Sequence, residues 1–289
     1  MNGTSRIVVG IDQSPDSLRA LDFAIEEAAL RQVDLEVVWA WTDKVSTPDR
    51  SGDQTDSVEI GARAQLQLDE VVLGRVPEGV AVTTRAIVAK PEAVLLESGG
   101  FADLLVVGAR GEGGFLGLQL GSVSLKVASR SRCPVAVVRG PADGPVADPE
   151  PRIVVGVDGS KGSRNALRWA MNEAAVRELP VLAVNAWAEL VTRTPYPGLG
   201  VSVESIEASA KELLDSEIEL ATRESPAVTV LAKTESCNGA TALIEASAGA
   251  SLVVVGSRGH SDFIGNLLGS VTQQVLRHAR CSTVVVPPG

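Results

Sequence analysis

The sequence predicts an α/β chain of two tandem doubly wound domains, flavodoxin-like or Rossmann-like, each a five-stranded parallel sheet of order 3-2-1-4-5. Three observations carry that prediction. Hydrophobic residues make up 45% of the 289 residues but aromatic ones only 3%, so the core is built from Ala, Val and Leu, as where helices cover parallel strands. Short β-branched runs alternate with longer stretches of helical spacing, which forces parallel strands joined by right-handed crossovers. Finally, the chain repeats itself: IVVGID at 7–12 returns as IVVGVD at 153–158, and VVGARGEGGFLGLQLGSVS at 106–124 returns as VVGSRGHSDFIGNLLGSVT at 254–272. So long a repeat describes two copies of a complete domain, not a solenoid.

The elements of the first copy follow from the local pattern. The apolar run at 7–11 reads as a strand. A helix over 17–31 places Leu18, Leu21, Ala24, Ile25 and Ala28 on one face, with Asp16, Glu26, Glu27 and Arg31 mostly off it. Residues 35–41 and 80–88 read as strands around a helix at 57–74. Pro91 suits the first turn of a third helix, 104–107 is a strand, 121–131 the fourth helix and 135–138 the last strand. The second copy repeats this order and ends in a strand at 283–286. Between the copies, GPADGPVADPEP resists helix and favours an extended linker. The expected division is therefore 1–140, a linker at 141–151, and 152–289.

Charge narrows the functional classes. The formal net charge is -10, with 14 basic against 20 acidic residues through Gly144 and 12 against 16 after it. Neither half carries the clustered Lys and Arg that track a nucleic-acid backbone or an anionic membrane. No apolar run approaches the roughly 20 residues of a membrane span, and 1–6 is too short and polar for a signal peptide. A cytoplasmic protein is expected. Cys133, Cys237 and Cys281 form no CxxC pair, which argues for reduced thiols and against a disulfide framework or zinc site.

Ligands of open α/β sheets bind beyond the carboxyl ends of the strands, where the winding reverses. Asp12 and Asp158 end the first strands, and Gly108 and Gly256 end the fourth, so each Asp and Gly should meet at the switch point. There both copies show G-x-x-G-x9-G-S: Gly108, Gly111, Gly121 and Ser122, then Gly256, Gly259, Gly269 and Ser270. The first two glycines are expected to take unusual dihedrals and approach a ligand closely, while the third and its serine open a helix whose free N–H groups favour an anion. Arg110 and Arg258 would add positive charge. A strand-loop-helix turn by itself wants the same glycines and serine. The full spacing, twice and each time behind an Asp-ended strand, argues for a triphosphate.

These residues carry a resemblance to the universal stress protein family. The G-x-x-G-x9-G-(S/T) spacing, VDGS at 157–160 and CPVAVV at 133–138 are similar to its signatures, and the likeness covers both copies. It implies an ATP site in each domain, holding Mg2+ with the nucleotide. Asp12 and Asp158 would meet ribose or adenine, and the backbone of Ala40 and Ala186 would meet adenine. Gly108, Arg110, Gly111, Gly121, Ser122 and Val123, with Gly256, Arg258, Gly259, Gly269, Ser270 and Val271, would hold ribose and phosphates, beside Gly10 and Gly156 on the first strands. The final strands, apolar sheet edges, would pair into an intrachain pseudo-dimer, with a homodimer and unidentified protein partners beyond it.

The function expected is nucleotide-dependent regulation of stress response or growth, without catalytic residues. The alternative is a slow ATPase or phosphotransferase using the same pocket; GxxxxGK(S/T) is absent from the sequence. A flavin or electron-transfer domain is a third, weaker reading. His260 and His278 have no counterpart in the first copy, where Glu112 and Arg130 stand, and are expected at the surface. Trp41 and Trp187 read as core or interface anchors. Gln13 in place of Gly159, Lys90 in place of a glycine-containing turn, and Glu112 all predict weaker, more metal-dependent binding at the first site.

Overall fold

The computed structural model describes residues 5–42, 54–111, 119–140, 151–187, 202–259 and 268–289, with the side chains of 54–58 set aside. The chain divides into two compact units, Met1–Arg139 and Gly140–Gly289.

The first unit runs β1 (Arg6–Ile11), α1 (Pro15–Arg31), β2 (Asp34–Trp41), α2 (Gln54–Val72), β3 (Val82–Val88), α3 (Pro91–Gly99), β4 (Leu104–Gly108), α4 (Ser122–Arg130) and β5 (Val135–Val138). Its strands are ordered β3-β2-β1-β4-β5. Every pairing is parallel. The predicted order therefore holds. In register, Gly10 lies between Val38 of β2 and Val107 of β4, which is where the winding reverses. β4 and β5 are buried along their whole lengths, in keeping with their unbroken apolar runs.

The second unit repeats the plan with β6 (Ile153–Gly156), α5 (Lys161–Arg177), β7 (Val181–Ala186), α6 (Val203–Glu224), β8 (Val230–Glu235), α7 (Gly239–Ala246), β9 (Leu252–Gly256), α8 (Ser270–His278) and β10 (Ser282–Val286). Its strands follow the order β8-β7-β6-β9-β10, again all parallel.

Caps explain where the helices begin. Ser14 caps α1 by accepting the Ser17 N–H at 3.3 Å, and Pro15 stands in the first turn, where its missing N–H costs nothing. α1 thus begins two residues before the periodicity alone suggests, while α2 begins three residues earlier and ends two earlier. In the second unit Ser160 accepts the Ser163 N–H at 3.1 Å and Asn238 the Thr241 N–H at 2.9 Å.

Two expectations about α1 change. Asp16 is 3% exposed and Glu27 fully buried, although helical spacing puts both off the apolar face. Each burial is matched by a cation, as a buried carboxylate requires: Glu27 accepts from Arg31 Nε at 2.8 Å, and its counterpart Glu173 from Arg177 Nε at 2.5 Å. Trp187 is buried and Trp41 half-buried, with the Trp41 ring 5.5 Å from that of Trp39. His278 is exposed as expected; His260 and Glu112 lie outside the described residues. Burial raises the Cys133 thiol above its ordinary pKa and outweighs the opposing Ser131 hydrogen bond, which disfavours a reactive thiolate.

Candidate nucleotide site

Beyond the carboxyl ends of β1, β2 and β4, the first unit holds a cavity of about 390 Å³, within the range of small-molecule sites. Gly10, Asp12, Ala40, Gly108, Arg110, Gly111, Gly121, Ser122 and Val123 all line it. These are every first-copy residue nominated from the sequence. Ile11, Ser17, Val38, Pro91, Leu95, Val107 and Ser124 complete the wall. Some of these were within reach of pattern reasoning, since Val38 shares a strand face with Ala40, and Leu95 lies one turn beyond Pro91. Ser124 was not, because it contributes by donating its Oγ–H to the Gly108 carbonyl at 2.6 Å, a contact between separate elements.

The strand-end aspartate is held in place. Asp12 Oδ1 accepts the Ser14 N–H at 3.1 Å, and the Asp12 N–H donates to Ser17 Oγ at 3.2 Å. In the second unit Asp158 Oδ1 accepts the Ser160 N–H at 2.9 Å. These Asx turns fix the carboxylate rim at the switch point.

The glycines of the motif have specific neighbours, and here the sequence reading needs correction. None of Gly108, Gly111, Gly256 or Gly259 has positive φ. Their smallness serves close approach, and the approach is to the protein itself. A Cβ on Gly108 would lie 2.7 Å from the backbone of Asp16 and Ser17; one on Gly256 would lie 2.7 Å from the Gly162 carbonyl carbon. The strand end therefore abuts the first turn of the first helix in both units. A Cβ on Gly111 would strike Asp12 Oδ2, and one on Gly259 would lie 2.5 Å from Asp158 Oδ2. The second glycine lets the loop pass over the carboxylate.

The third glycine opens the fourth helix. Gly121 is the N-cap of α4 and donates its N–H to the Ala109 carbonyl at 2.7 Å; Gly269 caps α8 and donates to Ser257 at 2.9 Å. Neither cap has a side-chain hydrogen bond to the first turn, in contrast to Ser14, Ser160 and Asn238 at the starts of α1, α5 and α7. First-turn N–H groups of this kind suit an anion. Thr272 in the second unit donates to the Gly256 carbonyl at 2.7 Å, matching Ser124.

The second-copy residues occupy equivalent places in their own unit. Gly156 ends β6 and Ala186 ends β7, Asp158 follows β6, and Gly256 ends β9. Arg258 and Gly259 are exposed in the loop after β9, and Ser270 and Val271 open α8. A Cβ on Gly156 would press on Leu243 of α7 at 2.9 Å, as one on Gly10 would press on Leu95 of α3 at 2.7 Å.

Gln13 does not project into the cavity. It is exposed, with φ of 65°, and its counterpart Gly159 has φ of 80°. A side chain at 159 would meet Leu213 of α6 at 2.9 Å, so the glycine there answers to backbone geometry and helix packing. Among the described residues no group of three or more His, Cys, Asp or Glu is placed to hold a metal ion, and no helix is long and apolar enough to cross a membrane.

Comparison with known proteins agrees with this architecture. The model of the Universal stress protein family matches residues 3–139 and again 151–287. The universal stress protein Rv2005c of Mycobacterium tuberculosis is 33% identical over 288 residues, covering 96% of both chains. The universal stress protein Rv2623 of the same organism is 30% identical over 295 residues, covering 98% of this chain and 97% of its own. Among solved structures, a universal stress protein from Archaeoglobus fulgidus superposes with a TM-score of 0.70 over 98% of each chain at 18% identity, a likeness of fold. Two successive family matches, and relatives alike from end to end, make this chain a tandem-domain member of the universal stress protein family.

Proposed function

We propose that this chain is an ATP-binding regulatory protein with one nucleotide site in each domain. One observation carries the reading: the cavity of the first unit is lined by every first-copy residue nominated from the sequence, and its edge includes the start of a helix without a side-chain cap. The residues suit the parts of a nucleotide. Val38, Ala40, Pro91 and Leu95 offer an apolar wall for a base. Asp12, braced by Ser14, presents a carboxylate to ribose hydroxyls. Gly121, Ser122 and Val123 offer the opening of α4 to phosphates.

With no cluster of protein ligands among the described residues, Mg2+ would take its oxygens chiefly from phosphate and water, the usual habit of that ion with nucleotides. In this reading ATP adds binding energy to the folded state. Protein partners or a second copy of the chain in the cytoplasm read that state as a signal for growth or stress survival. Among the described residues Asp12 is the one ionisable acid in the cavity wall, and it accepts the Ser14 N–H. That arrangement favours holding the nucleotide over activating water.

Mass analysis of small molecules released from freshly purified, denatured protein, with thermal shift in ATP and Mg2+, tests the proposal. Released adenine nucleotide or a saturable rise in melting temperature is expected. Neither signal would overturn it, and single-turnover hydrolysis near 1 per second, the lower end for kinases, would favour the enzyme reading.

A further inference from the structure

We infer that Asp16 makes the two sites unequal in the ligand they take, the first accepting a nucleoside or monophosphate and the second a nucleoside polyphosphate. This deepens the nucleotide reading and rests on it. Asp16, 3% exposed in the first turn of α1, accepts from Arg19 Nη1 at 2.8 Å and from Arg110 Nε at 3.0 Å. Arg110 is the charged residue between the two loop glycines, and it lines the cavity. Its carbonyl also accepts the Ser14 Oγ–H at 3.1 Å. Backbone and guanidinium are thus both fastened to the start of α1.

The second unit is built differently at this point. The residue equivalent to Asp16 is Gly162, and that of Arg19 is Asn165, which donates to the Pro288 carbonyl at 2.9 Å. No side chain fits at 162, because a Cβ there would run into the Arg258 carbonyl oxygen. Arg258 is exposed, and no acid stands where Asp16 stands in the first unit.

Charge at the compared positions does not separate the sites. Asp16, Arg19 and Arg110 together carry the same charge as Arg258 alone, so attraction at long range is similar. The difference lies in commitment. A phosphate at the first site meets a guanidinium whose Nε is bonded to Asp16 and whose charge that carboxylate offsets, so drawing Arg110 toward the phosphate gives up part of this ion pair while Arg19 keeps Asp16 paired. Among the described residues Arg258 meets no such carboxylate, and its exposed guanidinium is able to form charge-assisted hydrogen bonds to phosphate oxygens. The phosphate-dependent part of the affinity should therefore reside in the second site.

The test uses the full chain with one site silenced, by Gly259→Val to leave the first open or by Gly111→Val to leave the second. Adenosine, AMP and ATP are titrated calorimetrically with Mg2+ at fixed ionic strength. With the first site open, Arg110→Gln should change ATP affinity less than about twofold. Asp16→Asn should raise it about tenfold, the scale of one charged hydrogen bond, with adenosine unchanged, and Arg110→Gln added to Asp16→Asn should abolish the gain. With the second site open, Arg258→Gln should lower ATP affinity about tenfold and spare adenosine. Equal losses from Arg110→Gln and Arg258→Gln would overturn the inference, as would an Asp16→Asn variant whose ATP-to-adenosine ratio is that of wild type. If Asp16→Asn fails to fold, the comparison of the two arginine variants still decides. Adenosine binding with the wrong arginine pattern sinks this inference alone. Failure of every ligand at both sites sinks the nucleotide reading with it.

Discussion

Replacing Gly108 and Gly111 by alanine, one at a time, separates a glycine that serves folding from one that serves the site. At Gly108 the added Cβ would lie 2.7 Å from the Asp16 carbonyl carbon and the Ser17 nitrogen. Neither backbone atom can yield without moving α1 off the sheet, so overpacking of about 1 to 3 kcal/mol is expected. For a unit of this length that lowers the melting temperature by about 3 to 10 °C. At Gly111 the Cβ would strike the Asp12 carboxylate, a side-chain terminus that can swing aside. The loss there is the Asp12 bond to the Ser14 N–H, about 1 kcal/mol, so the unliganded protein should melt within about 3 °C of wild type. Its response to ligand is the larger change: at ATP of 100 times Kd, the stabilisation of about 2.7 kcal/mol should vanish for that unit. Differential scanning calorimetry of the full chain with and without ATP reads both effects. A Gly108→Ala protein that melts like wild type would refute the packing argument, and a Gly111→Ala protein with the full ATP shift would refute the placement of the site.

Other perturbations give equally direct outcomes. Glu27→Ala or Glu173→Ala is expected to lower stability by about 3 kcal/mol, since each removes a buried carboxylate together with its ion pair and its packing; urea denaturation would show a lower midpoint. Gln13→Gly should stabilise by about 0.5 to 1 kcal/mol, because φ of 65° strains a residue with a Cβ. Gly159→Ala should destabilise, having both that strain and Leu213 at 2.9 Å in its way; paired melting curves would display the opposite signs. Because burial raises the pKa of Cys133, its alkylation should need pH above the ordinary thiol range and trail that of the less buried Cys281. Peptide mapping of iodoacetamide-treated folded protein at pH 8 would reveal the opposite order if the thiol were activated.

The sequence by itself determined the architecture and the neighbourhood of the site. Runs such as 104–107 and 135–138 have no polar face to offer solvent, which makes them buried parallel strands, and the alternation with helices leaves few ways to order them. An Asp closing the first strand and a Gly closing the fourth then had to meet at the switch point, which is why the residues named from the first copy line one cavity. The duplicated spacing added weight that one turn would have lacked.

Tertiary structure decided what depends on contacts between elements. Asp16 and Glu27 look solvated on a helical wheel, and are buried because α1 sits tightly against the strand ends and each acid has an arginine within reach. The motif glycines look like sites of unusual backbone dihedrals, yet they are small because Asp12, Asp16 and Ser17 occupy the space a side chain would need. Pro91, Leu95 and Ser124 join the cavity wall only when α3 packs on β1 and β2 and α4 packs on β5 and bonds to the end of β4. Periodicity reports which face of an element turns inward; it carries no distances between elements, and those distances govern which charge is paired, which glycine is obligatory and which arginine is free.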